Sequence, residues 1–403
     1  MASAGRVKRT SCGRALPIVL AALALSAPAA GAHSRFVGVN AATGISGVFD
    51  GTVNASREFD LMMRSGVESV RVSFIWSVEQ PYSSFASVPA RSRFRDVDGT
   101  PTDFSATDGI VRLAAARGMT VLPVVLYAPS WASAHMPRPA APLDDRPSPP
   151  ADDYAYARYI VALVGRYGAH GTFWRENPHL RKVPIREWQI WNEPNIRLFW
   201  SDPNWASGYV RLLRITRPAL RRADPGARLV LAGLANDSWD ALRELYAQGA
   251  HGLFDLAAIQ PFTVRPEGLV TIASLVRGVM ARNGDARTPL TVSEFSWPSA
   301  RGRAAYPWSV NVTEQQQAQR VRAALRRLAS ASASLGIESV YWYTWMAGDA
   351  QAGDPFDYAG LRHLIAGQHR AVSKPALSAF ARVALSLERC RGPKRRSATE
   401  CPA

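Results

Sequence analysis

The 403-residue sequence has few cysteines and almost no lysine. Its three cysteines, Cys12, Cys390 and Cys401, all lie near the termini. There is no CxxC pair and no HExxH, so a zinc site or a cysteine nucleophile inside the fold has nothing to be built from. The first β-rich run continues as "NAATGISGVFDG" without GxGxxG, so a dinucleotide-binding open sheet lacks its phosphate loop. Among 48 basic residues the only lysines are Lys8, Lys182, Lys374 and Lys394. The arginines are scattered along helix-like segments such as "RLLRITRPALRRAD". No concentrated stripe and no binding module is seen, so the net charge of +16 reads as solvated helix faces and not as a nucleic-acid interface. After the N-terminal segment no apolar run is long enough to cross a bilayer.

The N-terminus itself is distinctive. Arg6, Lys8, Arg9 and Arg14 precede the apolar run "ALPIVLAALALSA", and Ala30-Gly31-Ala32 follows as an A-x-A site. This pattern predicts a secretory signal peptide over residues 1–32, with an apolar core too short to span a membrane. Its removal takes four bases and no acid, which leaves a chain near +12. The expected location is therefore extracellular. Cys390 and Cys401 would then sit where disulfides persist, and a bridge between them would clip a basic tail over 390–403. Asn54, Asn236 and Asn311 head N-x-[ST] sequons, and no glycan is expected on them. A monomer is expected.

Between leader and tail, eight β-rich runs alternate with helical segments. The runs are 35–40, 69–76, 120–129, 186–194, 228–235, 254–263, 290–298 and 338–345. Several are near-continuous apolar stretches, as parallel strands covered on both faces require. Of the helical segments, "DYAYARYIVALVGRYG" places Tyr154, Ala157, Ile160, Val161, Val164 and Tyr167 on one face, with Gly168 as a C-cap. Another opens with Thr313 and Gln316 at capping-box spacing and closes on Gly336. Eight β-then-α units predict an α/β fold, a single (β/α)8 TIM barrel over residues 33–389. The Pro-rich loop 129–153 after the third run would lie at the face where barrel active sites are built.

Two carboxylates stand at equivalent places in this scheme. Glu193 ends the fourth run in "WQIWNEPN", and Glu294 ends the seventh in "LTVSEFSWP". Hydrolysis of a glycosidic bond needs such a pair, one as acid and the other as nucleophile or base. In isolation each would read as a surface ion-pair partner. Together at strand ends of one barrel they point to chemistry.

With "WNEPN" followed by "SEF", the chain resembles glycoside hydrolase clan A, of the family 39 and family 5 type that includes cellulase-like and xylosidase-like secreted enzymes. The resemblance implies a retaining mechanism on an oligo- or polysaccharide, without metal or cofactor. It implies that Glu193 is the acid/base, Glu294 the nucleophile, Asn192 a partner of the sugar 2-hydroxyl and Arg71 a neighbour of the nucleophile. In "YWYTWMAG", Trp342 or Trp345 would be the aromatic floor under the sugar. Asn40, Gln260, Trp131 and Trp297 would complete the substrate site. One departure stands out. Gln260-Pro261-Phe262 occupies the place where the clan often has His-x-Tyr, so Glu294 lacks a hydroxyl partner there. Ser296 where glycine is common is a smaller one. Two rival readings follow: a carbohydrate-binding barrel that has lost activity, and a transglycosylase using the same glutamates.

Overall fold

The apolar runs form strands, most of them shorter than the runs themselves. A computed structural model describes residues 1–2, 35–42, 51–89, 93–134, 149–305, 309–351, 353–365 and 367–391. The expected signal segment, most of the 129–153 loop and the Cys390–Cys401 bridge lie outside the described residues. The chain divides into Met1–His33 and Ser34–Ala403, and the second unit contains the whole fold described below.

The strands among the described residues are, in order, β1 (Val37–Ala42), β2 (Ser69–Ile75), β3 (Arg95–Val97), β4 (Thr100–Thr102), β5 (Thr120–Leu126), β6 (Glu187–Ile190), β7 (Arg228–Val230), β8 (Leu234–Ala235), β9 (Ala257–Gln260), β10 (Leu290–Phe295), β11 (Ile337–Trp342), β12 (Met346–Ala347), β13 (Arg362–Ile365) and β14 (Arg370–Ser373). Nine of them form one curled sheet in the order β7-β6-β5-β2-β1-β11-β10-β9-β8. Every neighbouring pair in it is parallel. β3 and β4 make a small antiparallel hairpin, and β12, β13 and β14 a separate three-stranded sheet.

The closed barrel expected from the sequence is met in part. The run 228–235 is two short strands at the two edges of the sheet, so the ladder is not continuous around the ring. The break falls at residues 231–233, beside a tightly packed glycine. A Cβ on Gly233 would overlap Gln260 Nε2 and lie 2.7 Å from Ser293 Oγ, so backbone and side chains are pressed together there. A lone bridge, Val230 to Leu256, and the bond from Leu231 N–H to Leu256 O at 2.9 Å span the gap.

Period-two alternation sorts the strand side chains. Leu122, Val230, Leu256, Ala258 and Tyr341 cluster together, apart from the main core. Polar pairs join them: Ser69 Oγ with Tyr341 Oη at 3.0 Å and Thr291 Oγ1 with Ser339 Oγ at 2.8 Å. The larger apolar core, rich in Trp and Tyr, fills the space between strands and helices.

The helix Asp153–Tyr167 starts at Asp152, whose side chain accepts the Tyr154 N–H, and Gly168 ends it. Its buried face is Tyr156, Tyr159, Ile160, Leu163 and Tyr167; Tyr154, assigned to that face from the sequence, is exposed. The helix Glu314–Leu335 has the expected capping box at Thr313 and Gln316. It ends at Gly336 in the left-handed region (φ +63°), where glycine has no Cβ to strain. No helix among the described residues is long and apolar enough to cross a membrane.

Candidate active site

Arg71, third in β2, is the centre of a buried polar network. Its Nε donates to Gln189 Oε1 at 2.7 Å. Nη1 donates to Asn40 Oδ1 at 2.7 Å and to Glu294 Oε1 at 2.5 Å, and Nη2 to Asn192 Oδ1 at 2.7 Å. Strands β1, β2, β6 and β10 and the turn after β6 thus meet on one guanidinium. A planar fork of five N–H donors suits that task, and an ammonium with three does not. Asn40 Nδ2 donates onward to Ser293 O at 3.1 Å, and Gln189 Nε2 to Leu231 O at 3.0 Å.

Gln260 Nε2 also donates to Asn192 Oδ1, at 2.9 Å. Arg71 can only donate, so the Asn192 atom facing it is the carbonyl oxygen. That oxygen accepts twice, and the Asn192 amide is left with its N–H groups for a ligand. Gln260 Oε1 is buried without a hydrogen-bond partner among the described residues, so it is an unused acceptor.

After β6 the chain turns sharply. Trp191 and Glu193 both take left-handed backbone, φ +70° and +41°. Neither is glycine, so each conformation costs on the order of 1–2 kcal/mol and has to be held by its surroundings. The Trp191 backbone N–H bonds Val125 O at 3.0 Å and its indole N–H bonds Phe199 O at 2.7 Å. The Glu193 N–H bonds Gly233 O at 3.1 Å. Glu193 is half-buried as a residue, and its carboxyl makes no hydrogen bond or ion pair among the described residues.

The two glutamates therefore have different environments. Burial pushes Glu193 up to about 8; the negative charge of Glu294 adds to the rise and Arg71 opposes it. Burial raises Glu294 too, and Arg71 counters it by charge and by hydrogen bond. The cation nearest the pair is in direct contact with Glu294. That contact favours the charged form of Glu294, and Glu193 has no such contact.

The aromatic side chains are placed differently from expectation. Trp342 is fully buried against Phe295 and Trp297, with its N–H on Ala359 O at 3.2 Å. Trp345 is fully buried and donates to Glu58 Oε2 at 2.9 Å. Trp297 is fully buried and donates to Thr263 O. None of the three keeps a ring face for a sugar, because all are packed between the sheet and its surroundings. Trp131 is partly exposed, with its N–H on Gln80 O at 2.8 Å and its edge against Trp76. Sequence reasoning passed over Tyr343. It continues the inward parity of Ser339 and Tyr341, is partly exposed, and stands edge-on to Phe262 and Phe356. The peptide between Tyr343 and Thr344 is cis. Phe262, the residue in place of the expected tyrosine, thus belongs to an aromatic group at the ends of β9 and β11.

Glu314, Asp349 and His363 also bring ligand-type atoms within 4.8 Å of one another. Lys374 at 2.7 Å and Arg303 at 3.3 Å are already paired with Asp349, so this is an ion cluster with its charge balanced by side chains.

No family model matches the chain, and no curated protein matches its sequence. Solved structures do match. A family 39 glycoside hydrolase from Bacteroides cellulosilyticus WH2 superposes with a TM-score of 0.61 at 17% identity, over 88% of this chain and 65% of that one. The fold is that of clan A glycoside hydrolases. A GH39 β-xylosidase from Caulobacter crescentus gives a TM-score of 0.60 at 17% identity, over 89% of this chain and 71% of that one. A GH5_18 protein from Bifidobacterium longum gives 0.57 at 15% identity, over 87% and 78%. In this fold Glu193 follows β6 and Glu294 lies near the end of β10, with Arg71 in contact with Glu294 and Asn192.

Proposed function

We propose that the protein is an exported, retaining glycoside hydrolase acting on a β-linked oligo- or polysaccharide by double displacement. The observation that supports it is the asymmetry of the two glutamates: Glu294 is ion-paired to Arg71, while Glu193 has no ion pair among the described residues and burial pushes it up to about 8. The ionised Glu294 attacks the anomeric carbon as Glu193 gives its proton to the departing oxygen, and a covalent glycosyl ester forms on Glu294. Glu193, now a carboxylate, takes a proton from water. The resulting hydroxide adds to the anomeric carbon and releases Glu294, so the anomeric configuration is retained. Asn192 presents N–H donors to a sugar hydroxyl oxygen, and Tyr343, Phe262 and Phe356 offer apolar faces to sugar C–H groups. Phe262 cannot donate to Glu294; its contribution is packing. The similarity to solved glycosidases supports this reading at the level of fold.

Glu193→Ala separates the roles. For an aryl glycoside whose leaving group needs no proton, kcat/KM should change little. For an unactivated alkyl or sugar leaving group it should fall about 10²–10⁴-fold. An equal fall on both substrates would remove Glu193 from the acid role.

A further inference from the structure

Three arginines sit on the loops that follow β9 and β10 and on the helix after them. Arg265 lies five residues beyond Gln260, and Arg301 seven beyond Glu294. Both are exposed, on the loops that follow β9 and β10. Arg320, near the start of the helix Glu314–Leu335, reaches the same place. Its Nη1 donates to Val264 O at 2.6 Å, and its guanidinium lies over the Trp297 ring at 5.8 Å. Trp297 in turn donates to Thr263 O, so the β9 loop, the β10 loop and the helix start are tied together at this point.

The charges there are not balanced. Burial lowers the pKa of Arg320, and the like charges of Arg301 and Arg265 lower it further. None of the three arginines forms an ion pair among the described residues. The neighbouring acid, Glu267, is held by Arg327. Arg303, two residues from Arg301, shows the contrasting case: Asp349 and Glu314 share it. Arg301 Nη2 donates to Asn311 O at 3.4 Å, just before the helix that carries Arg320. Three guanidiniums on these tied segments, with one committed acid nearby, suit a planar anion, which guanidinium binds in a forked geometry.

We propose that Arg265, Arg301 and Arg320 form a subsite for an acidic sugar, so that the glycan entering the cleft bears carboxylate or sulfate groups. The position supports a glycan over other polyanions, because the two loops begin at Gln260 and Glu294 of the site itself. This inference rests on the glycosidase reading and narrows its substrate class.

Calorimetry on the full chain and on its Glu294→Ala variant tests it, using four probes. These are an oligogalacturonate, the same chain with its carboxyls reduced, a chondroitin sulfate oligosaccharide and a single-stranded DNA of equal charge. At least one acidic glycan should bind about tenfold or more tightly than the reduced chain, with an advantage that shrinks as salt rises. Preference for the uronate or for the sulfated chain identifies the anion, and either supports the subsite. Arg265→Ala with Arg301→Ala should erase the preference, and the double Lys variant should recover part of it. Both positions are exposed, and Arg320 with its Trp297 contact is left in place. Equal affinity for acidic and reduced chains, a preference that survives the double Ala variant, or DNA binding as tight as the better glycan would each overturn the proposal. Because binding is read without turnover, a wild-type protein that shows the preference yet releases no reducing ends from any glycan would overturn the hydrolase reading and leave the subsite standing.

Discussion

At Arg71, four acceptors share one buried guanidinium. Removing it leaves Glu294 buried without its counter-ion, a loss of about 3–5 kcal/mol in such pairs. Arg71→Met should therefore lower the unfolding free energy by roughly that amount in denaturant titration and abolish turnover. Arg71→Lys keeps the charge but has three donors for four acceptors, so it should fall between. A Met variant as stable as wild type to within about 1 kcal/mol would mean that the network holds nothing in place. The contact of Arg71 with Glu294 was legible only through the family resemblance, since nothing in the spacing of the two residues announces it. The aromatic floor was less so. Trp342 and Trp345 drew attention as large rings, but parity places Tyr343, not Trp342, on the side of Ser339 and Tyr341. A floor made by a tyrosine gives no compositional signal.

At the level of elements, the alternation of apolar runs and helical periods located the strands, with boundaries shifted by a few residues. The interruption at 231–233 was hidden, because after Arg228 the run "RLVLAGLA" has no polar residue to mark it. Gly233 is tightly packed there: its carbonyl accepts from Glu193 N–H, and its missing Cβ leaves room for Gln260 Nε2. Gly233→Ala should displace Gln260 from Asn192, costing about 1–3 kcal/mol of stability as an overpacked site. It should also lower kcat more than it raises KM, since the donor set around Asn192 shifts. An Ala variant with wild-type stability and kcat would show that the site yields easily there. The buried face of helix Asp153–Tyr167 was misassigned at Tyr154 because tyrosines and alanines alternate around the whole helix start, which leaves periodicity little to discriminate.

Across the whole molecule, Glu79 and Glu193 are among the described carboxyls that burial raises. Burial pushes Glu79 up to about 8 beside the Tyr159 and Thr107 hydroxyls, with no ion pair on it among the described residues, and Glu193 likewise rises to about 8. Between their unfolded and folded values the native state keeps protons that the unfolded state releases. Stability is therefore greatest below about pH 4.5 as far as these two groups are concerned, and is lost as pH rises toward about 8. Glu79→Gln removes one of them, so the fall in Tm from about pH 5 to about pH 8 should be smaller in the variant than in wild type. Parallel Tm profiles would show that Glu79 is not protonated in the fold. The proposed function makes Glu193 and Glu294, about a hundred residues apart in sequence, partners in one reaction. The most direct test is Glu294→Ala on an activated aryl β-glycoside with and without azide. Loss of turnover without azide, with recovery as a glycosyl azide of inverted configuration when it is added, is the predicted result. Turnover near the wild-type rate without azide, or a rescued product of retained configuration, would contradict the assignment of Glu294 as nucleophile.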